Sequence, residues 1–225
     1  MEIAGARILI VGATGGFGSA LARAFSAAGA DLVVASRNAT SLAAIAAEVG
    51  AIAIPTDLTE DGAPEALVLA ASTVLGGLEA TVCAIGVVAF GPAVDVDDDT
   101  IERLFRVNTL APMRLSRAAL GALSRGGLIV NVSAIVATMP TAGMAAYSAS
   151  KAALSAFDAA IAREGRRVGI RVLDLRPPHM ETGLSQRPIA GDAPKLGPGK
   201  DPEAMARRVV AAIAQERDEV GWDDE

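Results

Sequence analysis

A tyrosine and a lysine stand four residues apart at Tyr147 and Lys151, in a stretch from 144 to 164 that contains no glycine or proline. In a helix, positions i and i+4 lie on one face, so the phenol and the ammonium can point the same way. A nearby cation favours the phenolate and lowers a tyrosine pKa that is normally about 10. The pair is therefore a candidate for acid–base chemistry, although two surface residues of an ordinary helix would show the same spacing.

A glycine-rich stretch, Gly-Ala-Thr-Gly-Gly-Phe-Gly, follows the apolar run at residues 8–11 and precedes a segment of helical periodicity that stops at Gly29. Missing side chains let a pyrophosphate approach the backbone, and the start of a helix offers free N–H groups. The glycine spacing is G-x-x-x-G-x-G, not the commoner G-x-G-x-x-G. We favour a dinucleotide phosphate site over a simple tight turn. The residues assigned to it are Gly12, Thr14, Gly15, Gly16, Phe17 and Gly18.

The end of the second predicted strand carries Ser36 and Arg37, with no Asp or Glu between residues 32 and 47. In dinucleotide folds an acid at this point binds the ribose 2′-hydroxyl of NAD, whereas an arginine accommodates the 2′-phosphate of NADP. Arg37 therefore favours NADP, and NADPH over NADH, unless it is simply a solvated surface arginine.

Apolar runs of strand length alternate along the chain with segments of helical periodicity. This alternation predicts an α/β fold, a doubly wound, Rossmann-like parallel sheet in three αβα layers. We expect a single domain over residues 1–225, with a Gly- and Pro-rich substrate loop at about 183–200. The predicted strands are 8–11, 32–35, 51–54, 80–85, 128–132 and 170–175, and helices are predicted at 39–48, 64–75, 99–120, 144–164 and from 202 onward.

Three consecutive aspartates, at 97–99, stand at the start of the long helix predicted at 99–120. Asp99 and Glu102 have the spacing of a capping box, and acids suit the positive end of a helix dipole. We predict a solvated cap here and no metal site. Asn108 falls inside the same helix, where an amide is either exposed or a buried hydrogen-bonding centre.

Composition narrows the classes of function. The net charge is −6 with no basic patch, which argues against nucleic acid or an anionic membrane as partner. One cysteine, Cys83, and one histidine, His179, leave little material for a metal site and favour a reducing compartment. No apolar stretch reaches membrane-spanning length. We expect a soluble, cytoplasmic protein.

Together, these features resemble a short-chain dehydrogenase/reductase of the small single-domain branch, over residues 6 to about 215. The resemblance rests on an ordered set: the glycine turn, Asp57-Leu58, Asn108, a strand that ends at Ser133, the tyrosine–lysine pair, and Pro177 with Thr182. It implies an NAD(P)(H)-dependent oxidoreductase that interconverts a carbonyl and an alcohol. It also implies a small-molecule substrate and a homodimer or homotetramer, for which we expect helices around 100–120 and 147–164 to form the interface.

The resemblance also implies roles for single residues. Tyr147 would be the general acid/base, Lys151 would lower its pKa and hold the nicotinamide ribose, and Asn108 would order a water. Ser133 would polarise the substrate carbonyl. The implied cofactor contacts are Gly12, Gly16 and Gly18 to the pyrophosphate, Arg37 to the 2′-phosphate, Asp57 and Leu58 to the adenine, and Gly86, Pro177 and Thr182 near the nicotinamide.

Three positions depart from the family pattern. Ala84 and Pro178 stand where the family usually has asparagine and glycine. The family's polarising serine usually stands thirteen residues before the tyrosine, and that position is Ala134. One residue's shift along an extended strand turns a side chain to the opposite face. Either Ser133 still serves because the strand end bends, or another hydroxyl such as Ser148 or Thr138 substitutes.

Other classes of function explain less of the sequence. A nucleotide-binding sensor or scaffold with impaired catalysis is the main alternative, because of Ala134 and Ala84. A hydrolase triad of Ser133, His179 and Asp174 lacks the G-x-S-x-G context. A P-loop ATPase is disfavoured because residues 12–19 contain no lysine.

Overall fold

The computed structural model describes residues 1–222 and contains one six-stranded parallel sheet flanked by helices, which confirms the predicted fold class. The three C-terminal residues of the predicted 1–225 domain lie outside the described residues. No helix within residues 1–222 is long and apolar enough to cross a bilayer. The strands are β1 (Arg7–Val11), β2 (Asp31–Ser36), β3 (Ile52–Pro55), β4 (Ala80–Cys83), β5 (Leu128–Val132) and β6 (Arg171–Leu175). The helices are α1 (Gly16–Ala27), α2 (Ala39–Val49), α3 (Ala63–Leu75), α4 (Asp98–Phe105), α5 (Ala111–Ala122), α6 (Ala145–Val168) and α7 (Pro202–Ala214).

The strand order β3-β2-β1-β4-β5-β6 places β1 at the centre, hydrogen-bonded to β2 on one side and to β4 on the other. The chain reverses its direction of winding between β1 and β4. In open parallel sheets, ligands bind in the crevice beyond the carboxyl ends of the strands at such a switch point. The glycine turn follows β1 and Gly86 follows β4, so both lie at this crevice.

Both faces of the sheet are covered by apolar helix faces, as expected for strands without alternating polarity. One face packs against α1, α2 and α7, and its core includes Phe25, Leu42 and Ile213. The other packs against α3 and α5, with Leu67 and Leu115 in its core. Helix α6 packs along β6.

Three helices begin with a side-chain cap, Asn38 for α2, Asp97 for α4 and Asp201 for α7, and the cap of α4 differs from the sequence prediction. The side chain of Asp97, not Asp99, caps α4 by accepting a hydrogen bond from the Thr100 N–H at 2.7 Å. Asp99 lies inside the first turn, where its charge still faces the positive end of the dipole. The prediction of a capping box at Asp99 is therefore wrong by two residues, because three consecutive aspartates offer the same chemistry.

The long helix predicted at 99–120 is interrupted. A π-helical turn, Arg106–Leu110, joins α4 to α5. Pro112 follows and has no N–H to donate to the carbonyl of Asn108 four residues earlier, which removes one α-helical hydrogen bond. Such π turns occur frequently at functional sites, and this one contains Asn108.

Candidate active site

The glycine turn after β1 is a place where side chains do not fit. A Cβ on Gly12, which has a φ of +86°, would lie 2.8 Å from the backbone carbon of Ala84. A Cβ on Gly16 would lie 2.6 Å from the carbonyl oxygen of Thr182, and one on Gly18 would overlap the carbonyl of Gly12. The three glycines therefore permit close approach of β1, β4 and the segment after β6.

The N-terminus of α1 is open to an anion. Gly15 is the N-cap, no side chain caps the helix, and no acid stands in its first turn. Free N–H groups and the dipole favour a phosphate there. Thr14 is exposed beside it, whereas the side chain of Phe17 is buried in the core and leaves only its backbone available.

Ser36, Arg37 and Asp57 lie at the carboxyl ends of β2 and β3, on the same edge of the sheet. The Ser36 hydroxyl is buried and finds no hydrogen-bond partner within residues 1–222, and Arg37 is exposed. Partial burial opposes ionisation of Asp57, but hydrogen bonds from Thr59 and the nearby Arg37 guanidinium hold its pKa below the usual range. A buried hydroxyl without a partner, beside an exposed guanidinium, fits the ribose and phosphate of a dinucleotide. The side chain of Leu58 is buried in the core.

Tyr147 and Lys151 lie in the first two turns of α6, and both are buried, at 7% and 3% exposed. The ammonium of Lys151 donates a hydrogen bond to the Val132 carbonyl at 2.8 Å, and burial lowers its pKa to about 8. Burial among hydrocarbon raises the pKa of Tyr147 to about 12. The expectation that Lys151 lowers the tyrosine pKa is therefore not met in this structure, because desolvation of the phenol dominates.

Asn108 is fully buried and links three parts of the site. Its Oδ1 accepts from the Val87 N–H at 2.9 Å, and its Nδ2 donates to the Val87 carbonyl at 2.9 Å and to the Ser150 hydroxyl at 3.0 Å. Ser150 in turn donates to the carbonyl of Tyr147 at 2.7 Å. Thr109 donates to the carbonyl of Ser150 at 2.7 Å. The π turn thus fixes the turn of α6 that carries the tyrosine, and sequence analysis missed Ser150 and Thr109 in this role.

Gly86 lies next to both Asn108 and Lys151. A Cβ at Gly86 would lie 3.5 Å from both Asn108 Oδ1 and Lys151 Nζ, so this glycine leaves room beside the amide and the ammonium. The Pro177 carbonyl accepts from the Ile135 N–H at 3.0 Å and ties the end of β6 to the segment after β5. Thr182 meets the glycine turn at Gly16. The glycine turn, Thr182, Gly86, Asn108 and Lys151 are therefore neighbours at one crevice.

Ser133 is the predicted site residue that the structure does not bring to Tyr147. Its hydroxyl is directed at β6, donating to a carboxylate oxygen of Asp174 and lying 3.2 Å from the Leu175 carbonyl. Ala134 instead packs in the cluster that contains Tyr147. The strand end does not bend enough to reverse its alternation, so the expectation that Ser133 turns toward the tyrosine is corrected.

The other two candidate hydroxyls, of Thr138 and Ser148, differ in their surroundings. Thr138 is exposed and its hydroxyl donates to the Ile135 carbonyl at 3.1 Å. Ser148 is buried, with no hydrogen-bond partner for its hydroxyl within residues 1–222. The contact between Ser133 and Asp174 is direct, so no imidazole stands between them as a hydrolase triad requires.

A second cluster of buried polar side chains includes Asp158, which lies farther along α6. Asn131 on β5 donates to Asp158 at 2.6 Å and to Ser116 at 3.0 Å, and all three side chains are buried. Desolvation raises the pKa of Asp158 to about 8, with Asn131 opposing the shift. The sequence did not indicate that these three side chains would meet.

Comparisons with known proteins agree with this geometry. A family model described as short chain dehydrogenase matches residues 6–191. The chain is 31% identical over 233 residues to dehydrogenase/reductase SDR family member 7B of Bos taurus, covering 95% of this chain and 72% of that protein.

Two solved structures share the fold. A short chain dehydrogenase from Burkholderia cenocepacia in complex with NADP has a TM-score of 0.83 and 28% identity, covering 95% of this chain and 92% of that one. A short chain dehydrogenase/reductase from Burkholderia phymatum in complex with NAD has a TM-score of 0.87 at 22% identity, covering 98% and 89%, a likeness of fold alone.

Proposed function

The chain belongs to the short-chain dehydrogenase family, and from this premise we propose that it interconverts a carbonyl and an alcohol with a nicotinamide cofactor and Tyr147 as general acid/base. One observation carries the proposal. The phenol of Tyr147 and the ammonium of Lys151 are both buried, one helical turn apart, and Lys151 lies beside Gly86 and Asn108 at the nucleotide crevice.

The residues of the crevice would hold the cofactor, and the cofactor supplies the hydride. In reduction, the Tyr147 hydroxyl would donate its proton to the carbonyl oxygen. The Lys151 ammonium offsets the phenolate charge that this transfer leaves behind. Asn108 keeps the α6 turn in place through Ser150. Oxidation runs through the same groups in reverse.

We propose NADP as the preferred cofactor. The orphaned hydroxyl of Ser36 and the exposed guanidinium of Arg37 support a 2′-phosphate at the end of β2, where no acidic residue stands between positions 32 and 47. The related solved structures are described with NADP in one case and NAD in the other, so they support a nicotinamide cofactor of either kind. A ligand that binds only the folded state raises the melting temperature. NADPH should therefore stabilise the protein more than NADH at equal concentration, and the reverse order would overturn the preference.

A catalytically impaired NADP-binding sensor or scaffold is the second candidate. Ala134 favours it, because the position beside Tyr147 lacks a hydroxyl that would polarise a carbonyl. Loss of NADPH absorbance with a panel of ketones and aldehydes separates the two. Cofactor binding without turnover across the panel would favour the sensor.

We also propose a homodimer, or a homotetramer, formed through α4–α5 and α6. Ile101 and Leu110 are large apolar residues exposed at 36% and 45% on the first of these segments, which supports a covered surface there. Light scattering behind a sizing column tests this, and a monomer at micromolar concentration would contradict it.

A further inference from the structure

The Tyr147 side chain packs in a cluster of apolar side chains. The cluster of buried residues around it consists of Val88, Ala89, Phe90, Leu104, Ala134 and Val136. Partly buried apolar residues complete it, among them Met144, Leu184 and Ile189. Burial is what raises the pKa of the Tyr147 phenol, and no charged group adds to that shift. We call this cluster of apolar side chains the tyrosine cluster.

The segment at 184–190 covers the tyrosine cluster and is held down by backbone hydrogen bonds. The Ile189 N–H donates to the Val88 carbonyl at 2.8 Å, and the Phe90 N–H donates to the Ala190 carbonyl at 2.9 Å. Gly191, with a φ of +68°, passes so close to the Phe90 carbonyl that a Cβ would overlap it. Leu184 and Ile189 therefore lie against the tyrosine cluster, and a substrate that reaches the phenol lies among apolar side chains.

The outer side of the same segment is polar and carries negative charge. A cavity of about 460 Å³ there is lined by His179, Glu181, Ser185, Gln186 and Asp192, among others, and its ten lining residues include no lysine or arginine. His179 and Glu181 lie 3.8 Å apart. Arg187 is on the segment, but it is exposed and its Nε donates to the Gly183 carbonyl. Two carboxylates, those of Glu181 and Asp192, therefore line this cavity.

We propose that the tyrosine cluster is the binding site for an uncharged ketone, or the matching secondary alcohol, whose carbonyl is flanked by hydrocarbon on both sides. This inference rests on the proposed function and adds the class of substrate. A carboxylate or phosphate next to the carbonyl would be buried among Val88, Phe90 and Val136 with no partner, and burial of an unpaired charge is strongly unfavourable. A hydrocarbon chain at the same point is favourably buried among these side chains.

Two eight-carbon ligands that differ only next to the carbonyl test the proposal. We would measure binding of 2-octanone and of 2-oxooctanoate to NADP⁺-loaded Tyr147→Phe protein by calorimetry, and turnover of both by the wild type with NADPH. The expected result is a dissociation constant about 100-fold lower for 2-octanone, and a kcat/KM ratio in the same direction, from the cost of one unpaired buried polar group. Equal or tighter binding of the acid, or binding of neither, would overturn the proposed substrate class.

The two proposals fail in different ways. Binding of 2-octanone without turnover by the wild type would leave the substrate class standing and remove the enzymatic function. Efficient reduction of 2-oxooctanoate would leave the oxidoreductase standing and remove the class.

A matched pair of lysine substitutions tests the location. Leu184→Lys places a cation in the tyrosine cluster, whereas Leu196→Lys places one on the exposed side of the same loop, in the outer cavity. We expect Leu184→Lys to raise the kcat/KM for 2-oxooctanoate relative to 2-octanone by at least about tenfold, and Leu196→Lys to change the ratio by less than about threefold. An unchanged ratio in Leu184→Lys protein with a wild-type melting temperature would show that the substrate binds elsewhere. Should that variant unfold, the two-ligand comparison on the wild type decides the proposal.

Discussion

The substitution Ala134→Ser should raise activity, an uncommon outcome for a change beside a catalytic tyrosine. Ala134 is 9% exposed and belongs to the tyrosine cluster, so the new hydroxyl would extend from an existing Cβ toward the space where a carbonyl must lie. The change adds one oxygen and moves no backbone. It supplies a second donor to the carbonyl oxygen, beside the phenol.

The expected increase in kcat/KM follows from the known effect of one hydrogen-bond donor on kcat. Removing a donor that stabilises developing negative charge typically lowers kcat about 10²–10³-fold, so adding one without evolved alignment should raise kcat/KM about 10-fold to 100-fold. The hydroxyl has no side-chain partner in the described cluster, which should cost about 1–3 kcal/mol of folding stability. For a protein of this size, that corresponds to a melting temperature lower by about 2–12 °C.

The assay is NADPH oxidation with 2-octanone, accompanied by thermal melts of both proteins. Ser133→Ala is the matched control one residue earlier, since the Ser133 hydroxyl is committed to Asp174 and the Leu175 carbonyl. That control should lose stability and keep its kcat/KM within about twofold. Unchanged activity in Ala134→Ser protein, or loss of turnover in Ser133→Ala protein, would refute the assignment of the two positions.

The remaining predictions concern the cofactor, the lysine and the buried carboxyl. Arg37→Ala should raise the Kd for NADPH about 10-fold to 100-fold, as expected for lost hydrogen bonds to a charged group, and leave the Kd for NADH within about twofold by fluorescence titration. Lys151→Met should lower kcat about 10²-fold or more while the protein still folds, because it removes the charge that offsets the phenolate; kinetics with a thermal melt check both. Asp158 has a pKa raised to about 8 in the folded protein, from an unfolded value near 3.8, so the unfolded chain loses this proton first. Its contribution to stability is therefore complete below about pH 4 and falls by about 1.4 kcal/mol per unit as pH rises to about 8. Asp158→Asn should remove that slope in urea unfolding at pH 5, 6 and 7, and an unaltered slope would contradict it.

Local patterns predicted the elements closely because burial on both sides of a parallel sheet leaves a continuous apolar signal. β5 has the bounds that its apolar run predicts, and α7 begins with Pro202 after its Asp201 cap. β4 ends at Cys83, two residues earlier than predicted, because the chain leaves the sheet after the Ala84 N–H bonds the Val11 carbonyl. The π turn at Asn108 was not predicted, although Pro112 lies inside the predicted helix and removes one helical N–H, because its contacts to α6 depend on the tertiary fold.

The candidate site was predictable where residue type alone restricts chemistry, as at the glycine turn and the tyrosine–lysine pair. The direction of the Ser133 hydroxyl was predicted wrongly, because the strand end was expected to bend, and its partner Asp174 depends on the register of β5 against β6. The meeting of Asn131, Ser116 and Asp158 depends on three elements that only the tertiary fold brings together. The pKa of Tyr147 was predicted to be lowered but is raised, because the phenol is buried beneath the covering segment at 184–190.

The central claim is that the buried phenol of Tyr147 exchanges a proton with a carbonyl oxygen. The most direct measurement compares kcat for NADPH-dependent reduction of 2-octanone, and NADPH affinity, between the wild type and Tyr147→Phe protein. Our account predicts turnover by the wild type, a kcat about 10²–10⁴-fold lower in the variant, and NADPH affinity within about threefold. A variant that retains full turnover would contradict it.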